Sequence, residues 1–299
     1  MPSNPTTSTH LLCLGYGYTA AALARRLEPQ GWTITGTTRS HDKAEKLKQV
    51  GINPIIWGGE TLGQEAFSEA SAVLISTGPD KDGCPAYRAA REAVIAAREN
   101  LKWIGYLSSN GVYGDHDGAW VDEDSLLKPT TNRGKARVRA EADWAAFGVE
   151  FDLPIVIFRL PGIYGPGRSA LDSVRAGTAK RIYKEGQVFS RAHVDDIASA
   201  LHASLNNPSA GDLFNIADDL PAPPQDVTEY ACQLLGVDAP PLIPIEDAEL
   251  SEMGRSFYSE SKRVSNARMK EALGLKLTYP DYKAGLDAIL KLERTSGSA

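Results

Sequence analysis

The chain has 299 residues, and its 42% hydrophobic and 23% charged residues are ordinary values for a globular protein. A net charge of −6, without any block of Lys or Arg, argues against a general nucleic-acid binder. No run approaches the ~18 apolar residues that a membrane span requires, and the first nine residues resemble neither a signal nor a transit peptide. The three cysteines are scattered, which favours reduced thiols over disulfides or a metal site and leads us to expect a cytoplasmic protein.

The predicted elements alternate between short apolar or β-branched runs and charged or Ala-rich runs. The predicted strands are His10–Leu14, Trp32–Arg39, Ile52–Trp57, Ala72–Thr77, Lys102–Ser108 and Ile155–Leu160, and the predicted helices are Ala20–Leu27, His41–Val50, Glu65–Ala70, Tyr87–Asn100 and Lys135–Phe147. Such alternation is typical of an α/β fold with a Rossmann-type, doubly wound parallel sheet. The Gly- and Pro-rich texture of the later chain predicts a smaller C-terminal substrate lobe.

The same texture predicts where the domains begin and end. We expect a dinucleotide-binding Rossmann domain over residues 10–165, completed by about residues 188–217. The substrate lobe is expected to take up residues 166–187 and 218–293. Residues 1–9 and 294–299 are polar, and we expect both ends to be flexible.

A glycine-rich turn, Gly15-Tyr16-Gly17-Tyr18-Thr19-Ala20, joins the first predicted strand to the first predicted helix. In such a turn one glycine permits the tight bend and the next permits close approach to a pyrophosphate at the helix N-terminus. The position of the turn inside a β-α-β pattern therefore predicts dinucleotide binding, with contacts from Gly15, Gly17, Tyr18 and Thr19.

The end of the second predicted strand indicates which dinucleotide is bound. An NAD site places Asp or Glu here for the ribose 2′-OH, whereas this chain has Thr38, Arg39 and Ser40, with no carboxylate before Asp42. A guanidinium and two hydroxyls suit a 2′-phosphate, so NADP is favoured over NAD. The alternative is that Arg39 is only a solvated side chain at a strand end.

Four motifs in this order resemble the extended short-chain dehydrogenase/reductases, the NAD(P)-dependent epimerase/dehydratase group. They are the glycine turn, Tyr106–Gly114 (similar to Ser-Ser-x-x-Val-Tyr-Gly), Arg159–Gly167 (similar to Arg-Pro-x-x-Val-Tyr-Gly-Pro-Gly) and His193–Ala198 (similar to Val-x-Asp-Val/Ile-Ala). The glycine turn departs from the usual Gly-x-x-Gly-x-x-Gly, as in atypical members. Further cofactor candidates are Ser76, Thr77, Ser108 and Leu160.

The family's catalytic Tyr-x-x-x-Lys pair is missing. When Pro129, Gly134 and Glu141 are kept in register with the family pattern, Arg133 stands at the Tyr place and Arg137 at the Lys place. A guanidinium cannot be deprotonated in proteins, so Arg133 cannot serve as the general acid or base. Arg137 can still donate hydrogen bonds to the nicotinamide ribose, as the family lysine does.

Other residues are candidates for the catalytic roles of the missing Tyr/Lys pair. Ser109 matches the family's catalytic Ser/Thr and is expected to bind a substrate oxygen, although a serine at a strand end can also simply cap the turn. Tyr113 and Tyr164 are candidates for the proton-transferring tyrosine. The alternative is that both tyrosines are structural, since the family has them beside its true catalytic tyrosine.

The later motifs suggest an anionic substrate. Arg168 and Arg191, with Tyr164 and His193, are candidates to bind it, because the family binds a nucleotide-sugar diphosphate with an Arg before the Val-x-Asp motif and guanidinium suits phosphate. Solvated arginines and a core histidine are the alternatives. The pair Asp195-Asp196 precedes a helix and is expected to supply an N-cap rather than a metal site.

Two functions of different class remain open at this stage. The first is an NADP-dependent epimerase/dehydratase-type oxidoreductase that acts on a small, anionic and phosphate-bearing molecule with altered acid/base groups. The second is a non-catalytic NADP-binding redox sensor or scaffold. The resemblance also leaves a homodimer open, because the family often dimerises through a helix pair.

Overall fold

The computed structural model describes residues 9–296, so the expectations for residues 1–8 and 297–299 lie outside the described part of the chain. The α-helices of this part are α1 (Tyr18–Leu27), α2 (His41–Gln49), α3 (Pro85–Ala97), α4 (Asn132–Phe151), α5 (Ala170–Arg175), α6 (Val194–Asn206), α7 (Pro224–Leu235), α8 (Glu252–Tyr258), α9 (Ala267–Ala272) and α10 (Tyr282–Ser296). The last helix therefore continues three residues beyond the predicted end of the lobe.

The strands are short, and most of them are buried. They are β1 (His10–Leu14), β2 (Thr33–Thr38), β3 (Asn53–Ile56), β4 (Ala72–Ile75), β5 (Trp103–Ser109), β6 (Trp120–Val121), β7 (Ile155–Leu160), β8 (Gly162–Tyr164), β9 (Arg181–Tyr183), β10 (Arg191–His193), β11 (Leu213–Asn215), β12 (Leu242–Pro244) and β13 (Arg263–Val264). The predicted strands agree with these bounds to within two residues. The helix expected at Glu65–Ala70 is instead a 3₁₀ turn, Gln64–Phe67.

Seven strands form the main sheet, in the order β11-β7-β5-β4-β1-β2-β3. Strand β1 pairs in parallel with both β2 and β4, so that Leu12 lies beside Thr35 on one side and Val73 on the other. The chain order reverses on the two sides of β1, and ligands of open α/β sheets bind at the carboxyl ends of the strands at such a switch point. The predicted fold class, a Rossmann-type parallel sheet, is confirmed.

The chain divides into two compact units. Unit 1 contains the described residues up to Ser109 together with Lys135–Arg159 and Ala198–Phe214, and unit 2 contains the remainder. Unit 2 thus includes the loop 110–134 and the segment 188–197, which the sequence analysis groups with the Rossmann domain. The loop belongs there because β6 pairs with β13 and because the backbone N–H groups of His116 and Gly118 donate to the carbonyl oxygen of Ser261.

Each unit has its own apolar core. In unit 1 the large side chains of Trp103, Tyr106, Trp144 and Phe147 are almost fully buried. In unit 2 a separate cluster joins Tyr164 and Leu171 to the apolar face of α10. Burial of this much aromatic and aliphatic surface is the main force that holds each unit together.

Among residues 9–296, no helix is long and apolar enough to cross a membrane. In the same part of the chain, no group of three or more His, Cys, Asp or Glu side chains is arranged to hold a metal ion. Cys13, Cys84 and Cys232 are buried free thiols.

Candidate functional site

A cleft of about 870 Å³ lies in unit 1 at the carboxyl ends of β1, β2 and β4. It brings together seven residues that the sequence predicts as cofactor contacts: Gly15, Gly17, Thr38, Arg39, Ser40, Ser76 and Thr77. The other predicted cofactor contacts lie elsewhere. Tyr18, Thr19 and Ser108 are outside the lining of this cleft, and Leu160 belongs to unit 2.

The glycine turn forms one wall of the cleft. Gly15 has φ +94°, and its N–H donates a 2.7 Å hydrogen bond to Oγ1 of Thr37, while Ser76 Oγ donates to its carbonyl oxygen. Gly17 is the N-cap of α1, and no atom lies within 4 Å of the position that a Cβ on it would take. The turn therefore exposes backbone next to open space at a helix N-terminus, which is the arrangement that binds a pyrophosphate.

Two further observations fit a dinucleotide in this cleft. The first turn of α1 carries no acidic side chain that would repel a phosphate. The hydroxyl of Thr77 is buried and has no hydrogen-bond partner within residues 9–296, although Thr77 lines the cleft. Buried polar groups are normally satisfied, so an unpartnered hydroxyl at this wall is suited to a ligand.

The carboxyl end of β2 contributes positive charge. Arg39 and Ser40 are exposed at the cleft, and Ser40 Oγ caps α2 by accepting from the N–H of Lys43 at 3.3 Å. Lys43 also lines the cleft, and its ammonium donates to the carbonyl oxygen of Tyr16. No sequence motif marks Lys43, although its place in the first turn of α2, directly after β2, is a signal for a cleft residue.

The opposite wall contains residues that the motifs do not reveal. The turn Trp57-Gly58-Gly59 follows β3, Asp80 comes from the segment between β4 and α3, and Arg88 lies on α3. Arg88 forms a bidentate pair with Asp80, at 3.1 and 2.9 Å, and this pair lowers the pKa of Asp80. The general rule that ligands bind at strand carboxyl ends would have found Trp57, but no motif marks Arg88.

Arg137 contacts β5 and lies close to the residues that follow β4, all of them in unit 1. Its Nη1 donates to the carbonyl oxygen of Leu107 at 2.7 Å and to the hydroxyl of Tyr106 at 3.2 Å. A Cβ placed on Gly78, which lines the cleft, would lie 3.1 Å from its Nη2. The guanidinium is thus held beside the cofactor cleft. Ser109 ends β5 in the same unit and is half-buried, while the neighbouring Ser108 is buried.

Arg133, at the place of the family's tyrosine, lies in unit 2. Its Nη2 donates to Ser256 Oγ at 2.9 Å, and its guanidinium carbon lies 5.3 Å from the centre of the Phe257 ring. The cation–π contact and the hydrogen bond both attach this side chain to α8. Because a guanidinium cannot be deprotonated in proteins, Arg133 supplies no proton-transferring group.

Tyr113 is completely buried in unit 2. Its hydroxyl donates a 2.7 Å hydrogen bond to Oδ1 of Asn215, and the backbone N–H of Asn215 donates to Oε1 of Glu123 at 2.7 Å. Burial raises the pKa of Glu123. These bonds supply the buried hydroxyl with an acceptor, which is what a structural tyrosine needs.

A second pocket, of about 460 Å³, lies within unit 2. It brings together three of the predicted substrate residues, Tyr164, Arg168 and Arg191, beside Thr228 and Tyr282. Thr228 is on α7 and Tyr282 on α10, so their distance along the chain from the motifs explains why the sequence analysis missed them. The carboxylate of Asp172, also in the lining, is occupied by the N–H and hydroxyl of Ser169.

Arg191 is fixed in this pocket by uncharged groups. Its Nη1 donates to the carbonyl oxygens of Phe189 at 2.8 Å and Ala222 at 3.0 Å. No carboxylate of residues 9–296 lies within 4 Å of its guanidinium, and burial lowers its pKa. Burial also raises the pKa of the neighbouring Asp218 to about 8. The Arg191 guanidinium, which has no carboxylate within 4 Å, is therefore suited to bind an anionic group of a ligand.

His193, the fourth predicted substrate residue, is outside the lining of this pocket. It is buried between the rings of Tyr164 and Tyr279, with ring centres 5.2 and 3.9 Å away, and burial lowers its pKa. Its Nδ1 accepts the N–H of Asp195 at 3.2 Å. The carboxylate of Asp196, one of the two candidates for the N-cap of α6, instead accepts the N–H groups of residues 278 and 279 at 2.8 and 2.9 Å.

Comparisons with known proteins agree with this geometry. The conserved pattern of the NAD dependent epimerase/dehydratase family matches residues 87–217, which include the three later motifs. Protein YeeZ of Escherichia coli strain K12 is 28% identical over 286 residues, covering 90% of this chain and 95% of YeeZ. A conserved protein of unknown function from Silicibacter pomeroyi DSS is 48% identical with a TM-score of 0.89, covering 95% of this chain and 98% of that one.

A more distant structure shows the same fold. The UDP-glucuronic acid 4-epimerase from Bacillus cereus, solved with UDP-glucuronic acid and NAD, has a TM-score of 0.74 at 18% identity, covering 96% of this chain and 99% of that one. The Rossmann-type sheet agrees with this structural match, and the three later motifs lie within the residues that match the family. Residues 87–217 of this chain are thus similar to the NAD dependent epimerase/dehydratase family, and the chain as a whole has the fold of the Bacillus cereus epimerase.

Proposed function

We propose that this chain is an NADP-preferring oxidoreductase of the epimerase/dehydratase type, acting on a small anionic substrate without the usual Tyr/Lys pair. The observation that carries this proposal is the cleft of unit 1, where the glycine turn and the cationic end of β2 line one cavity. Bound NADP(H) would exchange a hydride with a substrate carbon that bears an oxygen.

In this proposal the cofactor occupies the unit 1 cleft. Gly15 and Gly17 admit the pyrophosphate, and the hydroxyl of Thr77 gains a hydrogen-bond partner from the ligand. Arg39 and Ser40 bind the 2′-phosphate. Arg137 donates hydrogen bonds to the nicotinamide ribose in place of the family's lysine, because its guanidinium is already held next to Gly78.

Residues of this chain would then form a hydrogen bond to the substrate oxygen and bind the anionic group of the substrate. Ser109 orients and polarises the oxygen by a hydrogen bond, and a water molecule carries the proton, since the buried Tyr113 hydroxyl is engaged by Asn215. Arg191, with Arg168 and Tyr164, binds an anionic group of the substrate in the pocket of unit 2. A nucleotide sugar, the ligand of the Bacillus cereus epimerase, is one substrate class that carries such a group.

The test is a substrate-dependent change of NADPH absorbance with a panel of phosphorylated and carboxylated carbonyl compounds. With any compound that turns over, we expect Ser109→Ala to lower kcat at least about tenfold, in line with the loss of a transition-state hydrogen bond. Ser68→Ala, at an exposed serine directly after the 3₁₀ turn Gln64–Phe67, is the matched control. An unchanged kcat in Ser109→Ala would remove Ser109 from the catalytic machinery.

A second function is favoured by one observation, the engagement of Arg133 by Ser256 and Phe257 at the position of the family's tyrosine. A non-catalytic NADP-binding sensor or scaffold needs no proton donor there. This alternative predicts tight NADPH binding, no turnover with any compound of the panel, and no effect of Ser109→Ala on binding.

A further inference from the structure

Lys43 has a defined position in the cofactor cleft. It lies in the first turn of α2 and lines the cleft of unit 1 together with Arg39 and Ser40. Its ammonium donates one hydrogen bond to the carbonyl oxygen of Tyr16, inside the glycine turn. A lysine ammonium has three N–H donors, so this bond fixes the charge at the cleft wall and leaves two donors for a ligand.

The lining of the cleft contains more cationic side chains than carboxylates. The lining contains one carboxylate, that of Asp80, and its two oxygens accept from Arg88. Within residues 9–296, no carboxylate lies within 4 Å of the Arg39 guanidinium or of the Lys43 ammonium. Two cations therefore remain uncompensated on the β2 side of the cleft.

In a Rossmann-type site the adenosine ribose lies beside the end of β2, and a 2′-phosphate projects from it toward the residues that follow the strand. We infer that Lys43 is a second specificity-determining residue, which binds the 2′-phosphate of NADP together with Arg39. This inference rests on the proposed preference for NADP. The competing explanation is that Lys43 only ties α2 to the glycine turn through Tyr16.

Substitutions of Lys43 distinguish a role of its charge in binding the 2′-phosphate from a role as a hydrogen-bonded link between α2 and the glycine turn. Lys43→Gln removes the charge but keeps an N–H donor for the Tyr16 carbonyl, and Lys43→Arg keeps the charge. Lys46→Gln, an exposed residue of the same helix outside the cleft lining, is the control. The ligands are adenosine 2′,5′-bisphosphate against AMP, which lack nicotinamide, and NADPH against NADH, with dissociation constants measured by calorimetry and fluorescence.

We expect Lys43→Gln to weaken adenosine 2′,5′-bisphosphate and NADPH about tenfold, the value of one charge-assisted hydrogen bond, while AMP and NADH change by less than about twofold. Lys43→Arg should keep the preference, and Lys46→Gln should change no constant. The NADPH affinity of the wild type should also fall more steeply with salt than its NADH affinity.

Three results would overturn the inference. An equal loss for adenosine 2′,5′-bisphosphate and AMP in Lys43→Gln would mean that Lys43 acts by tethering. An unchanged preference in that variant would leave Arg39 as the selector. A wild type that binds NADH as tightly as NADPH would overturn the proposed cofactor preference itself. The ratio of the NADH and NADPH dissociation constants of the wild type therefore distinguishes a failure of the Lys43 inference from a failure of the proposed NADP preference.

Discussion

Arg137 donates a 2.7 Å hydrogen bond to the carbonyl oxygen of Leu107, one strand position before the two serines that end β5. This bond and the contact with Tyr106 hold a permanent cation at the position where the family has a lysine. In the proposed function Arg137 would take over the hydrogen bonds of that lysine to the nicotinamide ribose, but it cannot assist a neighbouring proton transfer, because guanidinium does not titrate in proteins.

Substitution of Arg137 tests its place beside the nicotinamide. Arg137→Met should weaken NADPH binding about tenfold, since a charged hydrogen-bond donor to the ligand is lost, and Arg137→Lys should restore most of the affinity. Adenosine 2′,5′-bisphosphate lacks the nicotinamide ribose, so its affinity should stay the same in both variants. Parallel titrations measure this, and an equal loss for both ligands would contradict the assignment.

Two glycines of the cofactor turn should respond differently to alanine. A Cβ on Gly15 would lie 3.0 Å from Ser76 Oγ and from Thr77 Cγ2 at φ +94°, so Gly15→Ala should lower the free energy of unfolding by more than about 1 kcal/mol. Gly17 has an open Cβ position, and Gly17→Ala should change stability by less than about 1 kcal/mol. Urea unfolding measures both values.

NADPH affinity is the second property to measure for Gly17→Ala. Because the added methyl group of Gly17→Ala stands where the pyrophosphate approaches, this stable variant should lose most of its affinity. Wild-type affinity in Gly17→Ala would show that the dinucleotide does not follow the glycine turn.

The hydroxyl of Tyr113 is expected to support structure rather than chemistry. Tyr113→Phe removes its hydrogen bond to Asn215 and leaves a buried acceptor unpaired, which should cost about 1–3 kcal/mol of unfolding free energy. If the role is structural, kcat at a temperature where the variant is folded should stay within about threefold of wild type. A kcat loss of a hundredfold with unchanged stability would make Tyr113 the proton donor after all.

The buried carboxyl of Asp218 should give unfolding an unusual pH dependence. Burial raises its pKa from 3.8 to about 8, so the folded state holds a proton that the unfolded state releases above about pH 4. Its contribution to stability is therefore complete below about pH 4 and is lost as the pH rises to about 8.

Asp218→Asn mimics the protonated form and should flatten this dependence. Urea unfolding at pH 5, 7 and 9 should show the variant gaining stability relative to wild type as the pH rises. Asp143→Asn, on the exposed face of α4, should leave the wild-type slope in place. A wild-type slope in Asp218→Asn would mean that this carboxyl is ionised in the folded protein.

The sequence predicts the main sheet well because its strands are apolar runs separated by clear turn signals, as at His10–Leu14 and Ile155–Leu160. It also predicts seven of the seventeen residues that line the unit 1 cleft, since Gly15, Gly17, Arg39 and their partners stand at strand ends that parallel topology brings together. The 3₁₀ turn near Phe67 cannot be distinguished from an α-helix in the sequence, because a single turn has too few residues to show its period.

The remainder depends on contacts between residues that are distant along the chain. The loop 110–134 belongs to unit 2 because its backbone bonds to Ser261, more than a hundred residues later. Tyr282 joins Arg191 in the second pocket only through the packing of α10. The burial of His193 follows equally from its neighbours Tyr164 and Tyr279, which no local pattern reveals.

The most direct test of the central claim is an equilibrium titration of the wild-type protein with NADPH and with NADH, followed by nicotinamide fluorescence. Two uncompensated cations at the end of β2 predict that NADPH binds at least about tenfold more tightly than NADH, and that the difference shrinks as salt is added. Failure to bind either dinucleotide would contradict the assignment of the cleft as a cofactor site, and the proposed enzyme function with it.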